Sequence, residues 1–158
     1  MKIRLVQDKD CAGMARLQRA TIRHVNSKDY SEDLIKVWAG RTNAKRFRDS
    51  AYKCKRWIAV EKDRIIGFVE HGDDDELWGL YVHKNYVGKG IGSRLLNIAE
   101  KSLKSQGVKI IKIKSTITAR KFYEKHGYKV VRKTLHPVEN KKLRIFIMAK
   151  FTKGIGPE

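Results

Sequence analysis

The sequence predicts a mixed α/β fold: one mostly antiparallel sheet with a single parallel strand pair, flanked by helices. Three observations predict it. Apolar residues recur at helical spacing through the first third of the chain, then switch to strand-like runs between 56 and 82. A glycine-rich turn, V-G-K-G-I-G-S at 87–93, stands between the apolar run Leu77 to Val82 and an amphipathic segment from Ile91 to Leu103. A strand, turn and helix in that order call for a parallel crossover to the next strand.

Taken in order, Met1 to Val6 reads as a short strand with alternating apolar positions. A helix follows from about Asp10 to His24, with Ala12, Leu17, Ala20 and Ile22 facing inward. After the polar turn Asn26 to Tyr30, Ser31 caps a second helix, and Glu32 and Asp33 put negative charge in its first turn. That helix carries Leu34, Ile35 and Trp38 and stops at Gly40; a basic helix spans Ala44 to Tyr52. Residues 56–62 and 64–70 read as a hairpin turning at Lys62-Asp63, and E-L-W-G-L-Y-V at 76–82 as a third consecutive strand. Gly79 within it marks a bulge or a close backbone approach. The helix after the glycine turn places Ile91, Leu95, Ala99 and Leu103 on one face and stops at Gly107. I-I-K-I-K-S at 110–115 is the next strand, parallel to Leu77–Val82. A short helix from Thr118 to His126 ends at Gly127, strands at about 128–134 and 143–151 finish the sheet, and the tail from Lys153 to Glu158 frays.

Size and composition bound the function. A chain of 158 residues with 41% hydrophobic content and two prolines predicts one domain, 1–158, with a core of its own. Cys11 and Cys54 are isolated, which predicts reduced thiols, a cytoplasmic location and no metal site. No apolar run approaches membrane-spanning length. Charge is uneven: residues 1–76 hold 17 basic and 13 acidic side chains, residues 77–158 hold 19 and 4. The glycine turn therefore lies in the basic half, which suits a polyanionic ligand. The same lysines also fit a solvated, thermophile-like surface.

Glycines at 88, 90 and 92 leave main-chain N–H groups free to close around a phosphate at a helix start. Two better-known phosphate loops are excluded. A dinucleotide fingerprint needs glycine at 93 or 95, where Ser93 and Leu95 stand; a Walker loop needs a hydroxyl residue after Gly88-Lys89, where Gly90 stands.

Thirty residues on stands A-R-K-F-Y-E-K-H-G-Y, 119–128. With L-Y-V-H-K-N-Y-V-G-K-G-I-G-S-R-L-L at 80–96, it resembles the GCN5-related N-acetyltransferases (GNAT), and the order of elements matches over nearly the whole chain. D-Y-S-E-D-L-I-K-V-W-A at 29–39 and S-T-I-T-A-R-K-F-Y-E-K-H-G-Y at 115–128 resemble a poorly characterised bacterial and archaeal subgroup. The resemblance implies a parallel pair that splays apart at an acetyl-CoA site, with no metal and no covalent enzyme intermediate. Leu80, Tyr81 and Val82 would lend backbone to the pantetheine arm, and an N–H near Tyr81 would polarise the acetyl carbonyl. Main chain from Val87 through Gly88, Lys89, Gly90, Ile91 and Gly92 to Ser93 would bind the pyrophosphate, with Lys89, Arg94 or Lys125 screening charge. Tyr123 would be the general acid; a phenol of ordinary pKa, about 10, keeps its proton at neutral pH.

Two positions depart from the family pattern. Val87 replaces a usual Gln or Arg, and Thr116 replaces an Asn that binds the cofactor, so a hydroxyl substitutes there. Glu76 is the candidate base through water, with Glu70 second and His83 and His126 behind. Tyr30, Trp38 and Trp78 are candidates for the acceptor wall. The acidic run Asp73 to Glu76 favours a cationic amine, the basic remainder an acidic or phosphorylated one, and the sequence leaves both open. It also leaves open a homo-oligomer, a coenzyme A-binding module without catalysis, and a nucleic-acid-binding protein. The last draws on nine basic residues between Lys109 and Lys133, though no recognised nucleic-acid motif accompanies them.

Overall fold

Seven strands hydrogen-bond into one sheet in the order β1-β2-β3-β4-β5-β7-β6 in the computed structural model, which describes residues 1–152. The elements run β1 (Lys2–Leu5), α1 (Cys11–His24), α2 (Glu32–Gly40), α3 (Ala44–Ser50), β2 (Cys54–Glu61), β3 (Arg64–Gly72), β4 (Glu76–Val82), α4 (Ile91–Ser105), β5 (Ile110–Thr116), α5 (Arg120–Lys125), β6 (Lys129–Val138) and β7 (Lys141–Phe151). Every strand pair is antiparallel except β4 with β5. The fold class matches the sequence reading; the expected fraying of 153–158 lies outside the described residues.

Local chemistry explains most boundaries. Ser31 Oγ accepts the Leu34 N–H at 3.3 Å at the start of α2, and Asn43 Oδ1 accepts the Arg46 N–H at 3.0 Å at the start of α3. Lys62 and Asp63 both take positive φ, which makes the two-residue turn that joins β2 to β3. Gly107, at φ +86, ends α4.

Four expectations need correction. α1 buries Cys11, Met14, Ala15, Leu17 and Ile22, while Ala12 is exposed and Ala20 only half-buried, because the apolar stripe starts at the first helical residue. The basic helix ends at Ser50 and continues as a 3-10 turn, Ala51–Lys53. α5 begins at Arg120, because Thr116 Oγ1 accepts the Ala119 N–H at 3.1 Å and holds 117–119 as a turn. The last two strands are longer than expected, joined at Glu139-Asn140; Pro137 is tolerated in β6 because that strand is the edge of the sheet.

α4 and α5 cover one face of the sheet. Leu95, Leu96, Ala99 and Leu103 pack there with Val69, Leu77, Ile113 and Met148. On the other face, Met14 and Phe47 meet Ile58 and Phe68, and Leu34, Ile35 and Trp38 of α2 meet Leu143 and Ile145 of β7. Each fully buried apolar side chain of this size contributes about 1.5–3 kcal/mol relative to exposure. Buried charges are paired: Arg56 Nε donates to Glu70 Oε2 at 2.6 Å, and Glu100 accepts from Tyr128 Oη at 2.8 Å and Lys150 Nζ at 3.0 Å.

Asp10 ties β1 to α1. Its carboxylate accepts two bonds from Arg4, at 2.8 and 3.0 Å, and the Gln7 N–H at 2.7 Å. The Arg4 bonds hold the Asp10 carboxyl below the ordinary range, against burial that pushes it up. A carboxylate with a lowered folded-state pKa contributes stability above its unfolded value, about 4, and loses it as pH falls through the folded value. Asp10→Asn is therefore expected to lower stability by roughly 1–3 kcal/mol at pH 7 in urea titrations. The deficit should shrink below about pH 4; an equal deficit at pH 3 and pH 7 would contradict this account.

Candidate active site

β4 and β5 pair only where β4 begins, against the middle of β5. The parallel register covers Glu76 with Lys112 and Leu77 with Ile113, and the Lys112 N–H donates to Asp75 O at 2.9 Å. Beyond that point β4 stays paired to β3 through Val82, and β5 stays paired to β7 through Thr116, so the two strands part. A bulge at Trp78, beside Gly79, shifts the β3–β4 register where they separate. The His83 N–H donates to Ile66 O at 2.8 Å, and antiparallel bonding alternates from there. Tyr81 thus turns its backbone polar groups to β3, while Leu80 and Val82 turn theirs to the gap. The amides facing the gap are those on either side of Tyr81.

The glycine turn begins α4. Gly88 and Gly90 both sit at φ +82, in the left-handed region, with open space where a Cβ would lie. Gly90 is the N-cap and supplies no side-chain cap, and the first bond of the helix runs from the Arg94 N–H to Gly90 O. The amides of Ile91, Gly92 and Ser93 therefore lack intrahelical acceptors and carry the positive end of a 15-residue helix. A Cβ on Gly92 would meet the Phe122 ring at 3.2 Å, so glycine there lets α5 approach α4. Ser93 Oγ and His126 Nε2, 2.9 Å apart, tie the same two helices; His126 Nδ1 donates to Phe122 O at 2.8 Å, so Nε2 accepts from the serine.

The gap opens into a cavity of about 410 Å³. Of the residues singled out from sequence, Trp78, Leu80, Tyr81, Val82, Val87, Gly88, Gly90, Gly92, Ser93, Thr116, Tyr123, Lys125 and His126 line it. Tyr123 is 3% exposed, and burial pushes its phenol well above the ordinary range, with Tyr81 adding to the shift. Three residues sequence reasoning missed also line the cavity: Thr21, Asn26 and Thr118. Their Oγ1, Oδ1 and Oγ1 atoms are the buried side-chain polar atoms without a hydrogen-bond partner among the described residues. Nothing in their sequence context marks them, since α1 and the α5 turn meet only in the fold.

Other candidates stand elsewhere. Ile91 is a core residue, and Lys89 Nζ lies over the Tyr86 ring at 5.3 Å rather than against the cavity. Glu76 does not line the cavity; it lies 3.9 Å from Lys114 Nζ, its pKa raised by burial and lowered in part by that lysine. His83 Nδ1 accepts the Asn85 N–H at 3.1 Å and caps a turn. Tyr30 Oη donates to Arg144 O at 2.6 Å and accepts the Ile117 N–H at 2.8 Å, so it braces the wall. Glu70 and Trp38 border a second cavity of about 460 Å³, on the α2–α3 side. Trp78 lines both cavities.

The family model described as "Acetyltransferase (GNAT) domain" matches residues 26–151. The chain belongs to the GNAT family. It is 26% identical over 135 residues to the uncharacterized N-acetyltransferase YafP of Escherichia coli (strain K12), covering 84% of this chain and 83% of that protein. The GCN5-related N-acetyltransferase structure from Rhodopseudomonas palustris superposes with a TM-score of 0.89 at 26% identity, covering 96% of this chain and 95% of that one. The PaiA N-acetyltransferase of Thermoplasma acidophilum, solved with coenzyme A, gives a TM-score of 0.76 at 24% identity, covering 96% and 100%; that likeness speaks for the fold. Among the described residues, no group of three His, Cys, Asp or Glu could hold a metal ion, and no helix is long and apolar enough to cross a membrane.

The basic stretch between Lys109 and Lys133, which prompted the nucleic-acid reading, is divided among β5, α5 and β6 in this GNAT fold. Lys112 pairs with Asp75 at 3.1 Å and Arg120 with Glu124 at 3.2 Å. Because Gly90 takes a left-handed conformation in open space, Gly90→Ala is expected to cost only the backbone term, about 1–2 kcal/mol. In a chain of this length that lowers Tm by about 2–8 °C. A Tm equal to or above the parent's would rule out the left-handed start of α4.

Proposed function

We propose that this chain moves an acetyl group from acetyl-CoA to a primary amine by direct attack within a ternary complex, acting as a single cytoplasmic domain. The observation that carries the reading is the meeting, around one cavity, of the unpaired β4 edge, the glycine start of α4 and the Tyr123 phenol. The residues fit the donor. Leu80 and Val82 offer backbone bonds of the kind an added strand would take. The Gly88–Ser93 turn and the free amides of α4 suit a pyrophosphate, with Lys125 at the rim. Thr116 contributes a hydroxyl, and the orphaned oxygens of Thr21, Asn26 and Thr118 offer polar partners inside. When bound, the donor supplies a thioester whose acetyl carbonyl an amine can attack, releasing a thiolate.

The chain's residues then handle charge and protons. A gap-facing amide of β4, from Leu80 or Val82, polarises the carbonyl oxygen. As the new C–N bond forms and the C–S bond breaks, the Tyr123 hydroxyl gives its proton to the departing sulfur, and the proton that the nitrogen sheds on becoming an amide returns through water to the phenolate. The phenol is protonated at neutral pH before that step; burial raises its pKa, which makes it a weaker donor than an ordinary phenol. The ammonium of the acceptor must first lose a proton. Glu70 is the better-placed carboxylate to take it through water, because it borders the second cavity and sits opposite Gly79 in the ladder, whereas Glu76 borders neither cavity. Burial pushes the Glu70 carboxyl upward against the pull of Arg56.

Calorimetry is expected to show saturable heat with acetyl-CoA at modest ionic strength; absence of heat would end the transferase reading. Tyr123→Phe should keep that binding while lowering kcat at least about 100-fold in a thiol-release assay. An unchanged kcat would remove Tyr123 as the acid. Glu70→Gln should lower kcat by about 100-fold, and Glu76→Gln should leave it within about threefold. The reverse ranking would return the proton acceptor to Glu76.

A further inference from the structure

From the second cavity we infer that the acceptor of this enzyme is a small amine carrying an anionic group, bound by Arg41 and Arg46 while its amine reaches the donor past Trp78. The inference rests on the transferase reading and names the acceptor class for the same site.

The cavity holds about 460 Å³, within the range of small-molecule sites. Its cations are Arg41, Arg46, Lys53 and Arg56; its anions are Asp49 and Glu70. Both anions are already taken. Glu70 pairs with Arg56 at 2.6 Å, and Asp49 pairs with Lys45 at 2.6 Å. Arg56 also donates to Phe47 O and to Ser50 Oγ at 2.7 Å. Lys53 Nζ lies 5.9 Å from the Trp78 ring centre. Among the described residues, the Arg41 and Arg46 guanidinium groups have neither a carboxylate nor a hydrogen-bond partner.

Arg41 is half-buried, and burial lowers its pKa, with the charge of Arg46 adding to the effect and Glu139, which is not in ion-pair contact, and Tyr81 opposing it. Holding a guanidinium partly out of water beside a like charge is costly unless an anion compensates it. A carboxylate or phosphate is that anion, because the planar fork of arginine matches either in two parallel bonds. Trp78 lines both cavities, so the cavity that holds Arg41 adjoins the donor cavity at that residue. The acidic run Asp73 to Asp75 offers no competing acceptor site, since none of the three lines either cavity.

The test compares matched amines in the thiol-release assay: β-alanine against propylamine, O-phosphoethanolamine against ethanolamine, and spermidine as a polycation. At least one anionic member should exceed its neutral counterpart in kcat/KM by about 10-fold or more, and whichever does so tells carboxylate from phosphate. Arg41→Gln should abolish that preference through KM, leave the neutral amine within about twofold, and keep or raise Tm, because an unpaired charge is removed. A preference for spermidine or for both neutral amines would overturn the inference, as would an equal loss on both members of a pair. Titration of each amine into the coenzyme A-saturated protein reads the same selectivity without turnover: binding of an anionic member alone, lost in Arg41→Gln, supports it, and no selective binding overturns it. Failure of coenzyme A itself to bind sinks the transferase reading and this inference together. Coenzyme A binding without anion selectivity sinks this inference only.

Discussion

Hydrogen bonding along β4 and β5 is satisfied outward, to β3 on one side and to β7 on the other, and the two strands share bonds only around Glu76 and Leu77. A sheet interior with unpaired main chain is costly, since each buried N–H or C=O without a partner forfeits a bond that water would have supplied. The fold keeps the opening because both flanking ladders are long and both sheet faces are packed. The cost stays local, and the unpaired edge keeps backbone groups of the kind an added strand would take.

Each further feature of the site follows from that opening. The bulge at Trp78 changes the phase of β4, so Leu80 and Val82 rather than Tyr81 present backbone to the gap, and the indole stands between two cavities. α4 starts just past the open end of β4, with two left-handed glycines exposing its first amides. α5 lies close enough to α4 for Phe122 to touch Gly92, which places the neighbouring Tyr123 against the cavity. The phenol is held by apolar packing rather than by a hydrogen bond, so its hydroxyl remains available to a ligand. Stability and chemistry are therefore separable at this residue.

Much of this was legible in the chain. The glycines at 88, 90 and 92 and the helix start at Ser31 act through near neighbours, so spacing reveals them, while the A-x-x-F-Y-E-K pattern was readable only through its resemblance to the GNAT family. Glu76 stands at the head of β4 as expected, but whether a side chain reaches a cavity depends on the strand's twofold alternation and on a bulge two residues away. β6 likewise runs past its expected end at about 134 and through Pro137, because it is the edge of the sheet.

What the sequence determined by itself was the order of elements, the parallel crossover around the glycine turn, and the nature of the donor site, because these depend on backbone preferences and short-range spacing. Only the tertiary structure decided which charges are compensated. Arg56 meets Glu70 across fourteen residues, Tyr30 braces Ile117 and Arg144 from eighty-seven and one hundred and fourteen residues away, and Arg41 and Arg46 line a cavity whose two carboxylates pair with other cations. Charge pairing is set by distance in space, which residue order does not encode, so the acceptor side of the site was hidden until the chain was folded.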